Sequence, residues 1–275
     1  MKVCVLGLGQ IGLPTAKYIA EKGLNVQGYD ISRVAVERAG KNGIKATTKW
    51  RDVLPAEAYV ICVSTLLKGE EPDLMPIFDV CEKIADKIEL ESLVSVESTI
   101  IPGTCKKLYE NIFKGHAALV HVPHRYWAGD PVRYGVKQER LIGAMNEKSM
   151  AKGLSFYRDR LGIPLHVVSS IEIAEMAKVA ENAYRYIQIA FAEELKLICK
   201  ELGLDFENVR KACNTKWNID VLEARDGIGG HCLPKEIRYF ASLSEYNILS
   251  KSAMAVDAAY RKYLKTRKGQ TGKTL

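Results

Sequence analysis

The decapeptide GIGGHCLPKE, residues 227–236, sets one small sulfur nucleophile, Cys232, behind a run of glycines and ahead of a proline and a lysine. A thiol that only packs is served by ordinary helix or strand. Gly229 and Gly230 let the backbone approach a ligand closely, which suits a thiol that must meet a substrate at short range. A second glycine pattern opens the chain. Residues 2–7, KVCVLG, form a short apolar run, GLGQIG follows from Gly7 to Gly12, and PTAKYIAEKG behind it favours helix. That spacing between strand and helix suits a dinucleotide. Gly7 permits the tight turn, Gly9 admits a pyrophosphate to the backbone, and Gly12 lets helix pack on strand. Gln10 and Ile11 complete the turn. The pyrophosphate would rest on the helix N-terminus, where unpaired N–H groups and the dipole favour an anion.

The elements that must hold these groups alternate. A second strand, LNVQGYD, ends at Asp30, about 20 residues after the glycine turn, where a carboxylate binds ribose hydroxyls and repels a 2′-phosphate. NAD is therefore favoured over NADP, although Arg33 nearby weakens the preference because an arginine accepts the extra phosphate. Strand-like runs recur at AYVICVS (58–64), LVSVES (93–98), AALVHVP (117–123) and IPLHVVS (163–169), between amphipathic segments such as LMPIFDVCEKIADKI. This is the pattern of a mainly parallel sheet covered on both faces, an α/β Rossmann domain over residues 1–169. Ligands of such sheets gather at the C-terminal strand ends, where Ser64, Thr65, Glu97, Ser98, Thr99 and His124 fall. Serines and threonines there also serve as ordinary loop caps.

From Ile171 the pattern becomes one long helix to about Leu202, with Gly203 as its stop. It opens an all-helical central domain over residues 170–266. Apolar residues lie nearly all around it, so it should be buried against the first domain or a partner subunit. Lys178, Asn182 and Arg185 share one face at i, i+4 and i+7. A lysine and an asparagine on an apolar helix are costly without partners. A snorkelling lysine and a surface asparagine are the alternative, and the residues alone leave both open. FENVRKACN and a run from about Glu236 to Lys265 add helix on either side of the cysteine loop.

With 275 residues, 47% hydrophobic and 27% charged, the chain can bury one large or two ordinary cores. Seven cysteines, an odd number at irregular spacings, read as reduced thiols of a cytoplasmic protein, and without a CxxC pair no structural metal is expected. The N-terminal apolar run is too short for a membrane span. Of the net charge of +7, much belongs to a basic tail at 267–275 and the residues just before it. No basic stripe with interleaved aromatics appears, so no nucleic-acid partner is expected.

GLGQIGLP, VST at 63–65 with PDL at 72–74, VESTIIPGT at 96–104, AKVAENAYR at 177–185 with FAEEL after it, and GIGGHCLPKE occur in order along nearly the whole chain. Together they resemble the UDP-glucose/GDP-mannose dehydrogenase family, which oxidises the C6 alcohol of a nucleotide sugar to a carboxylate with NAD. ENAYR and NIDVLEARDGIGGHC are most similar to the branch acting on UDP-N-acetylhexosamines. The resemblance implies two hydride transfers with Cys232 trapping the aldehyde as a thiohemiacetal, whose oxidation gives a thioester for water to hydrolyse. It makes Lys178 the cation that holds the developing alkoxide, Asn182 a second donor to that oxygen, and Thr99 the residue that positions the alcohol or a water. Arg125 joins Lys178, Asn182, Gly229 and Gly230 as substrate-binding.

Three departures stand out. Glu236 replaces the aspartate that follows PK in the family. In place of a Ser-Pro-Glu segment the chain reads VPHR, putting His124 where the family has the base for thioester hydrolysis, a task open to imidazole near pH 7. The family usually continues into a domain that binds the nucleotide; either a separate chain supplies it, or a dimer partner and the tail do, or the substrate is not a usual nucleotide sugar. The 171–202 helix implies a homodimer. Two other functions compete. A single-step β-hydroxyacid dehydrogenase also joins a Rossmann domain to a helix with Lys and Asn, but has no use for Cys232. A catalytically degenerate NAD-binding subunit would fit His124 and the shorter length.

Overall fold

A computed structural model describes residues 1–271, and the side chains of residues 1–266. In chain order the strands are β1 (Lys2–Leu6), β2 (Asn25–Tyr29), β3 (Lys45–Thr47), β4 (Ala58–Ile61), β5 (Leu66–Lys68), β6 (Glu71–Asp73), β7 (Leu93–Val96), β8 (Ala118–His121), β9 (Arg140–Ala144) and β10 (Leu165–Val167). The helices are α1 (Gly12–Glu21), α2 (Arg33–Lys41), α3 (Met75–Ala85), α4 (Thr104–Lys107), α5 (Glu147–Leu154), α6 (Ile171–Glu201), α7 (Phe206–Cys213), α8 (Cys232–Ser242) and α9 (Ile248–Thr271). The chain forms two compact units, Met1–Leu66 with Asp73–Lys178, and Leu67–Pro72 with the chain from Val179 onward.

The first unit is a Rossmann-like domain on an eight-stranded sheet in the order β10-β9-β8-β7-β4-β1-β2-β3. Its pairings are parallel except β8 with β9. Central strands are apolar throughout because both faces are covered. Val3, Val5 and Val60 join Ala16 and Ile19 of α1 in one core, while Cys4, Leu6, Tyr59 and Ile61 join Ile77, Val80 and Ile84 of α3 in the other. The chain order reverses between β1 and β4, and ligands of open sheets bind at such a reversal. β9 escapes strand pattern reading: RLIGA is short, opens on an arginine, and follows β8 without an intervening helix, so the chain returns antiparallel.

In the second unit α6 runs to Glu201 and is closed by Gly203 at φ +67°. The run expected from Glu236 to Lys265 is two helices. Asn247 Nδ2 donates to the Ala241 carbonyl at 2.9 Å, and Ser244 Oγ accepts from the Tyr246 N–H at 3.2 Å. These local bonds compete with the helical ladder and turn the chain between α8 and α9. The β5–β6 hairpin contributes Leu67–Pro72 to this unit, and Glu70 at its tip pairs with Arg238 of α8 at 2.8 Å. The backbone of the basic tail is helical to Thr271; its side chains and its last residues lie outside those described. No described helix is long and apolar enough to cross a membrane.

Candidate active site

The glycine turn is built by contacts that exclude side chains. Gly7 lies at φ +86°, and a Cβ on it would meet Val63 N at 2.7 Å; a Cβ on Gly12 would stand 1.7 Å from the Gly7 carbonyl oxygen. Gly9 has nothing within 4 Å of its Cβ position, leaving room over the backbone. The first turn of α1 carries no acidic residue and its N-cap, Ile11, makes no side-chain cap, so its positive end is available to an anion. Asp30 Oδ2 accepts from the Leu8 N–H at 2.6 Å and Oδ1 from the Ser32 N–H at 2.8 Å, fastening the end of β2 to the turn. Each oxygen keeps acceptor capacity for a ribose hydroxyl. Gln10 and Arg33 are exposed beside it. An open Gly9 above an uncapped helix, with a fixed carboxylate at the neighbouring strand end, fits NAD.

Other strand-end residues divide. Ser64 is exposed and Thr99 half-buried, but Thr65 Oγ1 donates to the Thr99 carbonyl at 2.9 Å and Ser98 Oγ to the Val63 carbonyl at 2.6 Å, tying the segments after β4 and β7 together. Glu97, expected at the cofactor, turns inward to a side chain that is 0% exposed. Its Oε1 accepts from Arg140 Nη1 at 3.0 Å and from the Tyr157 hydroxyl at 2.5 Å, and its Oε2 meets His124 Nε2. Burial alone would raise the Glu97 carboxyl, but His124 first, then Arg140, and the hydrogen bonds from His124 and Tyr157 prevail and hold it at about 2. Arg140 is the standing counter-charge, because burial first and Arg140 next depress His124, leaving that ring neutral at neutral pH.

The proton on His124 can be assigned. Thr15 Oγ1 lies 3.0 Å from His124 Nε2 and donates its own proton to the Ile11 carbonyl at 3.0 Å, so Nε2 carries the hydrogen that Glu97 and Thr15 accept. Nδ1 is a bare lone pair, buried and without a partner among the described residues. Cys62, Glu97 and His124 place donor atoms within 4.8 Å of one another, the spacing of a metal site. Arg140 already neutralises the one carboxylate, and burial, then Glu97, pushes the Cys62 thiol well up. The cluster therefore satisfies itself by hydrogen bonds and suits a metal poorly.

Lys178 is 8% exposed, and its charge helps depress both His121 and His124, after burial in each case. One turn before it Glu175, buried, accepts the Gly103 and Cys105 N–H groups at 2.7 Å each and so fixes the segment that follows Thr99. Asn182, one turn beyond Lys178, belongs to the second unit, where its amide donates to Glu236 Oε2. Glu236 is buried and also faces Lys235 Nζ at 3.7 Å. Cys232 is exposed and is the first residue of α8, whose N-cap His231 makes no side-chain cap. Gly229 and Gly230 are exposed with nothing packed on them, and Gly230 has φ +83°. Arg125 is half-buried and donates through Nη1 to the Glu139 carbonyl at 3.2 Å.

Residues 172–259 match the UDP-glucose/GDP-mannose dehydrogenase family, central domain, and residues 1–48 and 35–160 match the same family's NAD binding domain. The chain belongs to this family. It is 32% identical over 255 residues to the UDP-N-acetyl-D-mannosamine dehydrogenase of Methanococcus maripaludis, covering 84% of this chain and 59% of that protein. It is similar to the structure of a UDP-D-ManNAc dehydrogenase from Pyrococcus horikoshii, with 29% identity and a TM-score of 0.86 over 96% of this chain and 69% of that one. A UDP-glucose dehydrogenase from Pyrobaculum islandicum follows at 25% identity and 0.82, over 94% of this chain and 68% of that one.

The cysteine loop, the glycine turn and Asp30 stand out in the sequence by local pattern, whereas Arg140, Tyr157 and Glu175, which hold Glu97 and the segment after Thr99, do not. Arg140 had no signal, being one charge among many. Glu175 had one: an acid in the first turns of an otherwise apolar helix, which needs a partner when buried.

Proposed function

We propose that the protein oxidises the C6 alcohol of a UDP-N-acetylhexosamine to a carboxylate by two successive hydride transfers. The observation that carries the reading is Cys232, the exposed first residue of α8, on a loop whose glycines stand clear of packing. The Gly7–Gly12 turn and Asp30 would hold NAD, which would supply the hydride acceptor for each oxidation, while the C6 hydroxyl proton of the first leaves to water. The Cys232 thiolate, favoured by the N–H groups of α8, adds to the C6 aldehyde and gives a thiohemiacetal. Loss of its C6 hydride leaves a thioester, and water displaces the sulfur to release the acid. The Lys178 ammonium steadies the developing alkoxide and Asn182 adds a hydrogen bond; Thr99 orients the alcohol or the water. Glu236, next to Asn182, receives the thiol proton. His124 takes a proton from the attacking water through Nδ1, since Glu97 holds its other nitrogen in the protonated form. Arg125, Gly229 and Gly230 line the sugar.

The working unit is a homodimer through α6. Ile173, Met176, Tyr184, Phe191 and Ile198 are exposed apolar residues that recur at helical spacing along it.

The test supplies NAD with UDP-N-acetyl-D-mannosamine, its gluco and galacto isomers, UDP-glucose and GDP-mannose, and counts NADH per sugar consumed. Two per sugar is expected, with a UDP-N-acetylhexosamine preferred, and Cys232→Ser should abolish the second. One per sugar in the wild type marks a single-step dehydrogenase, and none with any sugar overturns the enzymatic reading.

A further inference from the structure

The cysteine loop is held at one peptide with unusual completeness. The Ile228 side chain is 2% exposed and packs with Ala183, Tyr186, Ala190 and Ile237. Its N–H donates to Asp257 Oδ1 at 2.8 Å, and its carbonyl accepts from Arg261 Nη2 at 2.6 Å. Arg261 Nε closes the ring on Asp257 Oδ2 at 2.8 Å, so one ion pair of α9, at i and i+4, grips both polar groups of Ile228. A Cβ on Gly227, at φ +87°, would meet Arg261 Cζ at 2.9 Å, so the guanidinium lies directly on the backbone there.

The neighbourhood leaves this pair intact. Tyr186 of α6 adds its hydroxyl to Asp257 Oδ2 at 3.3 Å. Glu193 of α6 is 0% exposed, and neither oxygen has a partner among the described residues. Burial first, then Asp257, pushes that carboxyl up to about 7, so it is only part-ionised at neutral pH, and it makes no hydrogen bond to the guanidinium that Asp257 holds. Beyond the grip, residues 229–232 are all exposed, and the chain is buried again at Lys235 and Glu236. Cys232 therefore sits in a short open span between two anchors, of which Ile228 is the one nearer the N-terminus.

We infer that Asp257 and Arg261 are positioning residues for the Cys232 thiol, fixing the near end of its loop so that the thiol stays at the first turn of α8. The pair touches no reacting atom; it acts through Ile228. The inference rests on the reading of Cys232 as the nucleophile, and the experiment separates the two. In the full-length protein, Arg261→Met and Asp257→Asn are compared with wild type in the rate of Cys232 alkylation by iodoacetamide from pH 6 to 9, followed by peptide mass spectrometry. Turnover with NAD and UDP-N-acetyl-D-mannosamine is measured beside it. Released from its anchor, the thiol loses the first-turn N–H groups that favour its anion, so alkylation at pH 7 should slow about 10-fold. Turnover should show kcat lower by about 10- to 100-fold with KM for NAD unchanged. Arg261→Lys, which keeps the charge on Asp257 but cannot also reach Ile228, should fall between. Unchanged alkylation and kcat in variants that melt like wild type overturn the inference. Equal losses in kcat and NAD affinity overturn it as well, because they mark general unfolding. A wild type inactive on every sugar, whose Cys232 alkylation still slows in Arg261→Met, overturns the proposed reaction and leaves the positioning role standing.

Discussion

Replacing Arg140 by methionine tests whether the Glu97 cluster is an ion pair that the sheet depends on. Both side chains are 0% exposed, and Arg140 is the only permanent cation in contact with the Glu97 carboxylate among the described residues. Breaking a buried pair from one side costs about 3–5 kcal/mol. The loss has a ceiling, since Glu97 can protonate instead, which at pH 7 costs a carboxyl of ordinary value 4.5 about 3 kcal/mol. In the wild type the Glu97 value is depressed to about 2, so its contribution is present above pH 4.5 and lost as pH falls towards 2. In Arg140→Met burial prevails and the value rises above 4.5, which reverses the slope: stability declines as pH rises from 4.5 through the raised value. The destabilisation should therefore be largest at pH 7.5, smaller by about 3–4 kcal/mol at pH 4.5, where neutral Glu97 costs the variant little, and reach the packing loss, about 1 kcal/mol, only as pH falls towards 2 and the wild-type contribution goes too. Urea unfolding followed by Trp50, which packs on Tyr29 in the first unit, measures it. Adding Glu97→Gln should recover most of the loss at pH 7.5. Equal destabilisation at both pH values, or a double variant no better than the single, would refute the reasoning.

Gly12→Ala forces a Cβ to 1.7 Å from the Gly7 oxygen, so the turn must open; NAD affinity should fall at least about 100-fold by titration calorimetry, with about 1–3 kcal/mol of stability. Asp30→Ala removes the acceptor for the Leu8 and Ser32 N–H groups as well as for the ribose, so the Kd for NAD should rise about 10- to 100-fold and preference over NADP should narrow. Glu193 has a folded value raised to about 7, so its stability contribution is full below pH 4.5 and is lost as pH rises through 7. Glu193→Met should match wild type near pH 4.5 and exceed it by about 2 kcal/mol at pH 8 in thermal unfolding.

Local features were legible in the sequence and distant pairings were not. Gly7 and Gly12 collide five residues apart, and Asp30 ends the next strand, so one short segment encodes the cradle. Gly203 stops α6 where its left-handed backbone requires a glycine. Glu97, by contrast, stands at a strand end where a ligand residue belongs, and Arg140, 43 residues later on an antiparallel strand, holds it in the core together with Tyr157 and His124. Asn182 gives one of its two amide hydrogens to Glu236, 54 residues on, a pairing that no local pattern shows. The separation of α8 from α9 rests on Ser244 and Asn247 folding back on the chain, which a smooth apolar pattern hides.

The β5–β6 hairpin gives the molecule an order of assembly. Glu70 leaves the ribosome 168 residues before Arg238, the side chain it pairs with, and residues on both sides of the hairpin belong to the other unit. During synthesis the Rossmann-like sheet can close around a hairpin that has no docking surface yet. The second unit completes only when α8 and then α9, which holds Ile228, have emerged, so the cysteine loop is among the last parts to become native. No single cut in the chain separates the units cleanly, and a fragment ending before α6 would carry that hairpin as an unsatisfied edge.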